Sequence, residues 1–155
     1  MSGKLGAGRV VDTSVAVKWF FDEPLSAAAL EILRDARSGA NPLVVPDLIY
    51  PEFGNAVRKR VVRHGLAPED GALIVAAFSR LPFRDVLPSR PLLPGAYRLA
   101  IEHDCTVYDA VFLAAGSTTR SELVTADEQL YRAVAGKIAR VKWLGGEAPA
   151  RPDRR

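Results

Sequence analysis

An α/β domain, with a central parallel sheet of about four to five strands and helices on both faces, is the fold class this sequence predicts. Three observations carry the prediction. Short apolar, β-branched runs recur along the chain: Arg9-Val10-Val11, Leu43-Val44-Val45, Glu122-Leu123-Val124 and Val141-Lys142-Trp143-Leu144. Longer stretches with helical spacing separate them, so successive strands need crossovers, and crossovers make neighbouring strands parallel. The composition over 155 residues, 48% apolar and 25% charged, is that of one globular unit large enough to bury a core.

The first run ends on an acid, Asp12, and a short helix is expected from Val15 to Asp22, stopped near Pro24. Ser26 to Arg37 is rich in Ala and Leu and reaches Gly39, a good C-terminal stop. Pro46 closes the second strand. Asp47 to His64 reads as a helix only if Pro51 lies in its first turn, and Gly65 ends it. Pro68 to Arg80 starts with Glu69 and Asp70, the charges a helix N-terminus favours. Phe83 to Leu87 is a short strand, Pro88 to Pro94 a proline-rich loop, and Gly95 to His103 a helix. Thr106 to Ser117 places Val107, Ala110, Val111, Ala114 and Ala115 at helical spacing. Thr125 to Val134 is the last helix. The domain is expected over residues 9–144, with a flexible N-terminus at 1–8 and a disordered tail at 145–155 rich in Gly, Pro and charge.

Several function classes fall away at this level. The longest stretch without Asp, Glu, Lys or Arg is the ten residues Ala110 to Thr119, far short of a bilayer span. No apolar segment precedes the first acid, so a secretory signal is not expected. The single cysteine, Cys105, excludes an internal disulfide and a cysteine-rich zinc site, and suits the cytoplasm. It reads as a small buried hydrophobe rather than a catalytic thiol. The net charge of +3, from 21 basic and 18 acidic residues, says little about nucleic acid; local clustering has to carry that.

Four acids stand in apolar company: Asp12 after the first strand, Glu52 within DLIYPEFGNAV, Asp109 within TVYDAVFLAAG, and Asp127 just after the strand ELV. In a parallel α/β sheet, the C-terminal strand ends and the first turns of the following helices converge on one edge, where ligands bind. Two like charges at 4 Å repel by about 4 kcal/mol at an effective dielectric near 20. A divalent cation reverses that sign, and oxygen ligands without neighbouring His or Cys select Mg²⁺ or Mn²⁺. Each acid also has a simpler reading. Thr106-x-x-Asp109 and Thr125-x-x-Glu128 match capping boxes, Asp127 suits a helix start, and Asp12 suits a turn. Only the four together point to a site.

These residues resemble the PIN domain, and within it the VapC-like toxin nucleases. VVDTSVAVKWF is similar to that family's first strand and turn, PEFGNAVRK to its acidic helix, YDAVFLAAG to its Y-D-A motif, and LVTADEQL to its T-x-D-x-x-L motif. The resemblance spans about Arg9 to Leu144. It implies a metal-dependent endoribonuclease that hydrolyses RNA phosphodiesters as the toxin of a toxin–antitoxin pair, held by a cognate antitoxin, cytoplasmic and homodimeric. Asp12, Glu52, Asp109 and Asp127 fall on the family's acidic quartet. Mg²⁺ or Mn²⁺ would be held mainly by Asp12 and Asp109, with Asp127 direct or through water, while Glu52 orients water or completes the metal shell. Ser14 and Thr125 fall on supporting hydroxyls.

Arg58, Lys59, Arg60 and Arg63 follow Glu52 on one predicted helix and are candidate RNA contacts, spread around the helix rather than in a stripe. A solvated face, or a surface for an acidic antitoxin segment, is the competing reading. Trp19, Phe20 and Phe21 suit core or interface packing better than a base-stacking platform. His64 and His103 suit helix ends better than a metal-free imidazole pair. An aspartyl-phosphate enzyme would want a second acid near Asp12, and Thr13-Ser14 supplies none. An RNA-processing nuclease outside a toxin–antitoxin pair and a PIN-fold binding module without chemistry are the remaining alternatives.

Overall fold

The computed structural model describes residues 7–150; the expectations for residues 1–6 and 151–155 lie outside it. Five strands form one sheet: β1 (Arg9–Val11), β2 (Leu43–Pro46), β3 (Asp85–Leu87), β4 (Glu122–Thr125) and β5 (Val141–Trp143). Their order is β3-β2-β1-β4-β5, and every neighbouring pair is parallel. The three central strands are short and almost wholly buried, as expected where helices cover both faces.

Among the described residues seven α-helices provide the crossovers: α1 (Thr13–Ala16), α2 (Ser26–Ser38), α3 (Ile49–His64), α4 (Pro68–Phe78), α5 (Ser89–His103), α6 (Val107–Thr119) and α7 (Glu128–Val134). The helix expected over Val15 to Asp22 starts earlier, at Thr13, because Asp12 caps it, and it tightens to a 3₁₀ turn at Val17–Trp19. In α3 Pro51 is the third residue, where its missing N–H has no intrahelical partner to lose. The α6 helix runs two residues past its expected end, to an Arg120 in left-handed conformation.

The proline-rich loop expected at Pro88 to Pro94 is instead the first turns of α5. Pro91 lies third in the helix, where no acceptor is wasted, and Pro94 removes one bond just beyond. The start is anchored from outside: the Asp47 carboxylate accepts from the Ser89 backbone N–H at 3.1 Å and from the Ser89 hydroxyl. A local reading of three prolines cannot see an acceptor 42 residues away.

The aromatic run after α1 packs into and against the core. Trp19 is buried and donates from Nε1 to the Ala29 carbonyl at 2.8 Å. Phe20 packs edge-on to Phe53 and Phe78, which stack with ring centroids 3.8 Å apart. Phe21 lies under the Arg60 guanidinium, 4.4 Å from its ring centre. This cluster fixes α3, and hence Glu52, against the sheet. Residues 145–150 carry no helix or strand, and the Pro149 and Ala150 carbonyls accept from Arg132. No helix among the described residues is long and apolar enough to cross a membrane.

Candidate active site: four carboxylates at the switch point of the sheet

The chain leaves β1 for β2 on one side of the sheet and returns to β4 on the other, so the connections diverge between β1 and β4. Such a switch point opens a crevice at the C-terminal strand ends. The register pairs Val11 with Val124, which sets Asp12 beside Thr125. A cleft of about 280 Å³ opens there, lined by Asp12, Glu52, Asp109 and Asp127 together with Thr13, Ser14, Asn55 and Lys59. All four acids picked from the sequence therefore face one cavity, carried by four separate elements.

Asp12 is the deepest, only 6% exposed. The Ser14 hydroxyl donates to one of its carboxylate oxygens and the Thr125 hydroxyl to the other, the latter at 2.5 Å. The Val15 backbone N–H adds a longer bond of 3.4 Å. Both hydroxyls are themselves fixed: Ser14 Oγ accepts from the Ala126 N–H at 2.9 Å, and Thr125 Oγ1 from the Asp127 N–H at 3.0 Å. Each thus has its proton free to turn toward Asp12, and the two strand ends are laced together through one carboxylate. Burial lifts the Asp12 pKa from the ordinary 3.8 to about 6; the donors oppose that shift, and Asp127 adds to it.

The other acids sit nearer water. Glu52, in the first turn of α3, accepts from the Thr13 hydroxyl at 2.7 Å. Asp109, in the first turn of α6, donates its backbone N–H to the Thr106 hydroxyl at 3.1 Å, so the expected capping contact is present. Partial burial raises the pKa of both carboxyls; Asp109 adds to the rise at Glu52 and Asp127 to the rise at Asp109. Asp127 caps α7, accepting from the Leu130 N–H at 3.0 Å. The cap expected at Thr125 falls on Asp127 instead, because Thr125 is still in β4 and its hydroxyl is committed to Asp12. Capping and membership of the cleft are not alternatives here: one side chain does both.

The acids thus feel one another in sequence, Asp12 with Asp127, Asp127 with Asp109, and Asp109 with Glu52. Among the described residues, no three His, Cys, Asp or Glu side chains are drawn tightly enough together to hold a metal ion. The carboxylates line the cleft rather than converge on a point, each occupied by hydrogen bonds from the protein.

The basic cluster divides as its spacing foretold. Lys59 lines the cleft. Arg58 lines an apolar groove between α3 and α4. Arg60 is paired with Glu23, which Lys18 also binds, and it covers Phe21. Arg63 is exposed in the last turn of α3. Of the four, only Lys59 lines the acidic cleft. Neither histidine lines it: both end helices, α3 and α5, and His103 is buried. Two lining residues were missed from the sequence. Thr13 was passed over for Ser14, although the helix start at Asp12 turns Thr13 toward α3. Asn55 lies three residues after Glu52, so helical spacing alone would have placed it on the same face.

The PIN domain family model matches residues 9–136. Ribonuclease VapC12 of Mycobacterium tuberculosis is 31% identical over 121 residues, covering 78% of this chain and 88% of that protein. Ribonuclease VapC3 of Pyrobaculum aerophilum is 32% identical over 123 residues, covering 78% and 90%. Among solved structures, PAE2754 from Pyrobaculum aerophilum superposes with a TM-score of 0.65 at 23% identity, over 94% of this chain and 89% of that one. A toxin–antitoxin complex from Klebsiella pneumoniae gives 0.61 at 20% identity, over 86% and 95%. These last two likenesses are likenesses of fold.

Proposed function

The chain belongs to the PIN domain family, and we propose that it is a metal-dependent endoribonuclease, the toxin of a toxin–antitoxin pair. The observation that carries this reading is the cleft at the switch point, where four acids from separate elements share one cavity around a buried, doubly braced Asp12. The similarity to two VapC ribonucleases supports RNA as the substrate.

The site suits a hard divalent cation. Its donors are oxygens, with neither His nor Cys among the lining residues. A buried carboxylate held away from ordinary acidity, next to further carboxylates, gains charge compensation from a cation. Asp12, Asp109 and Asp127 are the residues proposed to hold Mg²⁺ or Mn²⁺. Such an ion lowers the pKa of water and offsets negative charge developing on a phosphoryl group.

The chain's own groups do the rest. Ser14 and Thr125 keep Asp12 fixed and its free lone pairs turned to the cleft. Thr13 holds Glu52 at the rim, where its carboxylate orients water. Lys59 lies beside the acids and attracts a backbone phosphate, the contact that positions a strand without reading its sequence. Arg63 extends that surface, whereas Arg60 is committed to Glu23. The proposed partners are RNA and a cognate antitoxin, the nuclease being a homodimer in the cytoplasm.

The reading is tested by incubating the purified chain, stripped of antitoxin, with total cellular RNA. Discrete products that need Mg²⁺ or Mn²⁺ and vanish with EDTA are expected. An RNA pool left intact by folded protein at every metal concentration would overturn it.

A further inference from the structure

A second hollow, of about 310 Å³, lies beside the acidic cleft and shares a wall with it: Asp109 and Asp127 line both. Its apolar part comes from Leu130 and Ala133, three apart on α7, and from Cys105 in the short turn between α5 and α6. Leu130 is buried, and the other two are half-buried. Its polar part includes Asp104, the left-handed C-cap of α5, and Gln129 in the first turn of α7; both are exposed. Neither side chain forms a hydrogen bond or ion pair among the described residues. The main cleft differs in this respect, since Asp12, Glu52 and Asp127 each accept a bond from the protein. In the second hollow a carboxylate and an amide keep their full hydrogen-bonding capacity, beside an apolar surface and next to the acids.

We infer that this hollow seats one nucleobase, a guanine, of the nucleotide next to the phosphate that the acidic cleft takes. The inference rests on the reading of that cleft as a ribonuclease site. Three carboxylates line the hollow, Asp104, Asp109 and Asp127, so a phosphate is repelled from it. An uncharged planar ring is not: its face covers Leu130, Ala133 and Cys105 while its edge meets the polar side chains. Bases of single-stranded RNA are read in this way, splayed out and hydrogen-bonded on the Watson–Crick edge. An ionised carboxylate only accepts hydrogen bonds, so Asp104 selects a base whose edge carries donors side by side. Guanine alone does so, with N1–H next to the N2 amine. Adenine and cytosine set one amine beside an acceptor, and uracil sets one N–H between two carbonyls. The two oxygens of Asp104 take the guanine N1–H and N2–H, and the Gln129 amide donates to O6. The volume stands at the low end of ligand pockets, roughly 300–1,000 Å³, which suits a single base. Because Asp109 and Asp127 form the common wall, the base and the phosphate lie on two sides of one pair of carboxylates, within the reach of adjacent nucleotides.

Fluorescence anisotropy tests this with labelled oligouridylates that carry one central guanosine, inosine or adenosine. The full chain is used free of antitoxin, in EDTA so that cleavage does not intervene. Inosine keeps N1–H and O6 and lacks only the N2 amine. The wild type is expected to bind the guanosine oligomer about tenfold more tightly than the inosine or adenosine oligomer. Asp104→Asn suits the left-handed backbone there and turns one acceptor into a donor, so it should erase the preference for guanosine over inosine. Gln129→Ala should weaken the guanosine and inosine oligomers severalfold and leave the adenosine oligomer unchanged. With Mn²⁺ and a random-sequence RNA, products should carry guanosine next to the cut for the wild type and not for Asp104→Asn. Equal affinity of the wild type for guanosine and inosine oligomers, binding of neither, or a preference that survives Asp104→Asn would overturn the inference. So would variants that lose antitoxin binding and keep the guanosine preference, since the hollow would then belong to the partner protein. Metal-dependent cleavage with no guanosine at the cut removes the base site and leaves the nuclease standing, whereas guanosine-selective binding by a protein that cleaves nothing does the reverse.

Discussion

Asp12 and Glu52 line the same cleft, yet they are held in opposite ways. Asp12 is buried at the end of a central strand, gripped by hydroxyls from α1 and β4 that are themselves pinned by backbone N–H groups. Glu52 stands on a helix at the rim, half in water, with one hydroxyl donor. The deep half of the site is held by side-chain bonds that tie the end of β1 to the end of β4, and its cost is a carboxylate kept away from water. The rim half is adjustable and cheap to build. In the proposed cation site, Asp12 is the ligand held in place beforehand.

That contrast can be broken most sharply at Thr125. Replacing it with Val removes a buried donor to Asp12 and leaves the part-buried Asp127 N–H without its acceptor. A loss of about 1–3 kcal/mol in denaturant unfolding is expected, together with an RNA-cleavage rate reduced about a hundredfold or more. Thr125→Ser should recover most of both, since the hydroxyl rather than the methyl group does the bracing.

Asp12→Asn probes the cost of burial. The folded-state pKa of Asp12 is raised to about 6 from 3.8, so the folded protein binds the extra proton more readily than the unfolded chain. Its contribution favours folding below about pH 4 and is lost as pH rises through about 6, by on the order of 3 kcal/mol. Without metal, the Asn variant should therefore be more stable than wild type near pH 7, and the difference should shrink as the pH falls toward 4. Protons and metal compete for the same oxygens, so thermal stabilisation of the wild type by Mn²⁺ should be larger at pH 7.5 than at pH 5.5.

Thr13→Val touches only the rim. Stability should change by less than about 1 kcal/mol, as for one partly exposed hydrogen bond, while the cleavage rate falls about tenfold because Glu52 is no longer held. A drop as large as that of Thr125→Val would erase the distinction between the two halves. Lys59→Ala should be milder still, weakening RNA binding a few-fold at low salt and flattening the slope of log affinity against log salt by a little under one unit.

Much of this was legible in the chain because its signals are local. β-Branched runs next to helical spacing marked the strands, and Asp12 and Asp127 could be placed at strand ends by sequence adjacency alone. What escaped depended on partners distant in sequence. The helix through Pro91 and Pro94 is anchored by Asp47, and Thr13 finds Glu52 across 39 residues. The cap at Asp127 displaced the one expected at Thr125 because the Thr125 hydroxyl already served an acid 113 positions earlier. The basic residues after Glu52 were separable only in space, where Glu23 and Phe21 claim Arg60 and leave Lys59 to the cleft.

The central claim is that the acidic cleft is a cation site organised around Asp12, with Asp109 and Asp127 as its further ligands. Calorimetric titration of the apo protein with Mn²⁺ near pH 7.5, for wild type and Asp12→Asn side by side, tests it without reference to any RNA. The account expects saturable binding by wild type and at least a tenfold loss of affinity in the variant, with both proteins folded. Equal affinity in the two, or no binding by wild type, would contradict it.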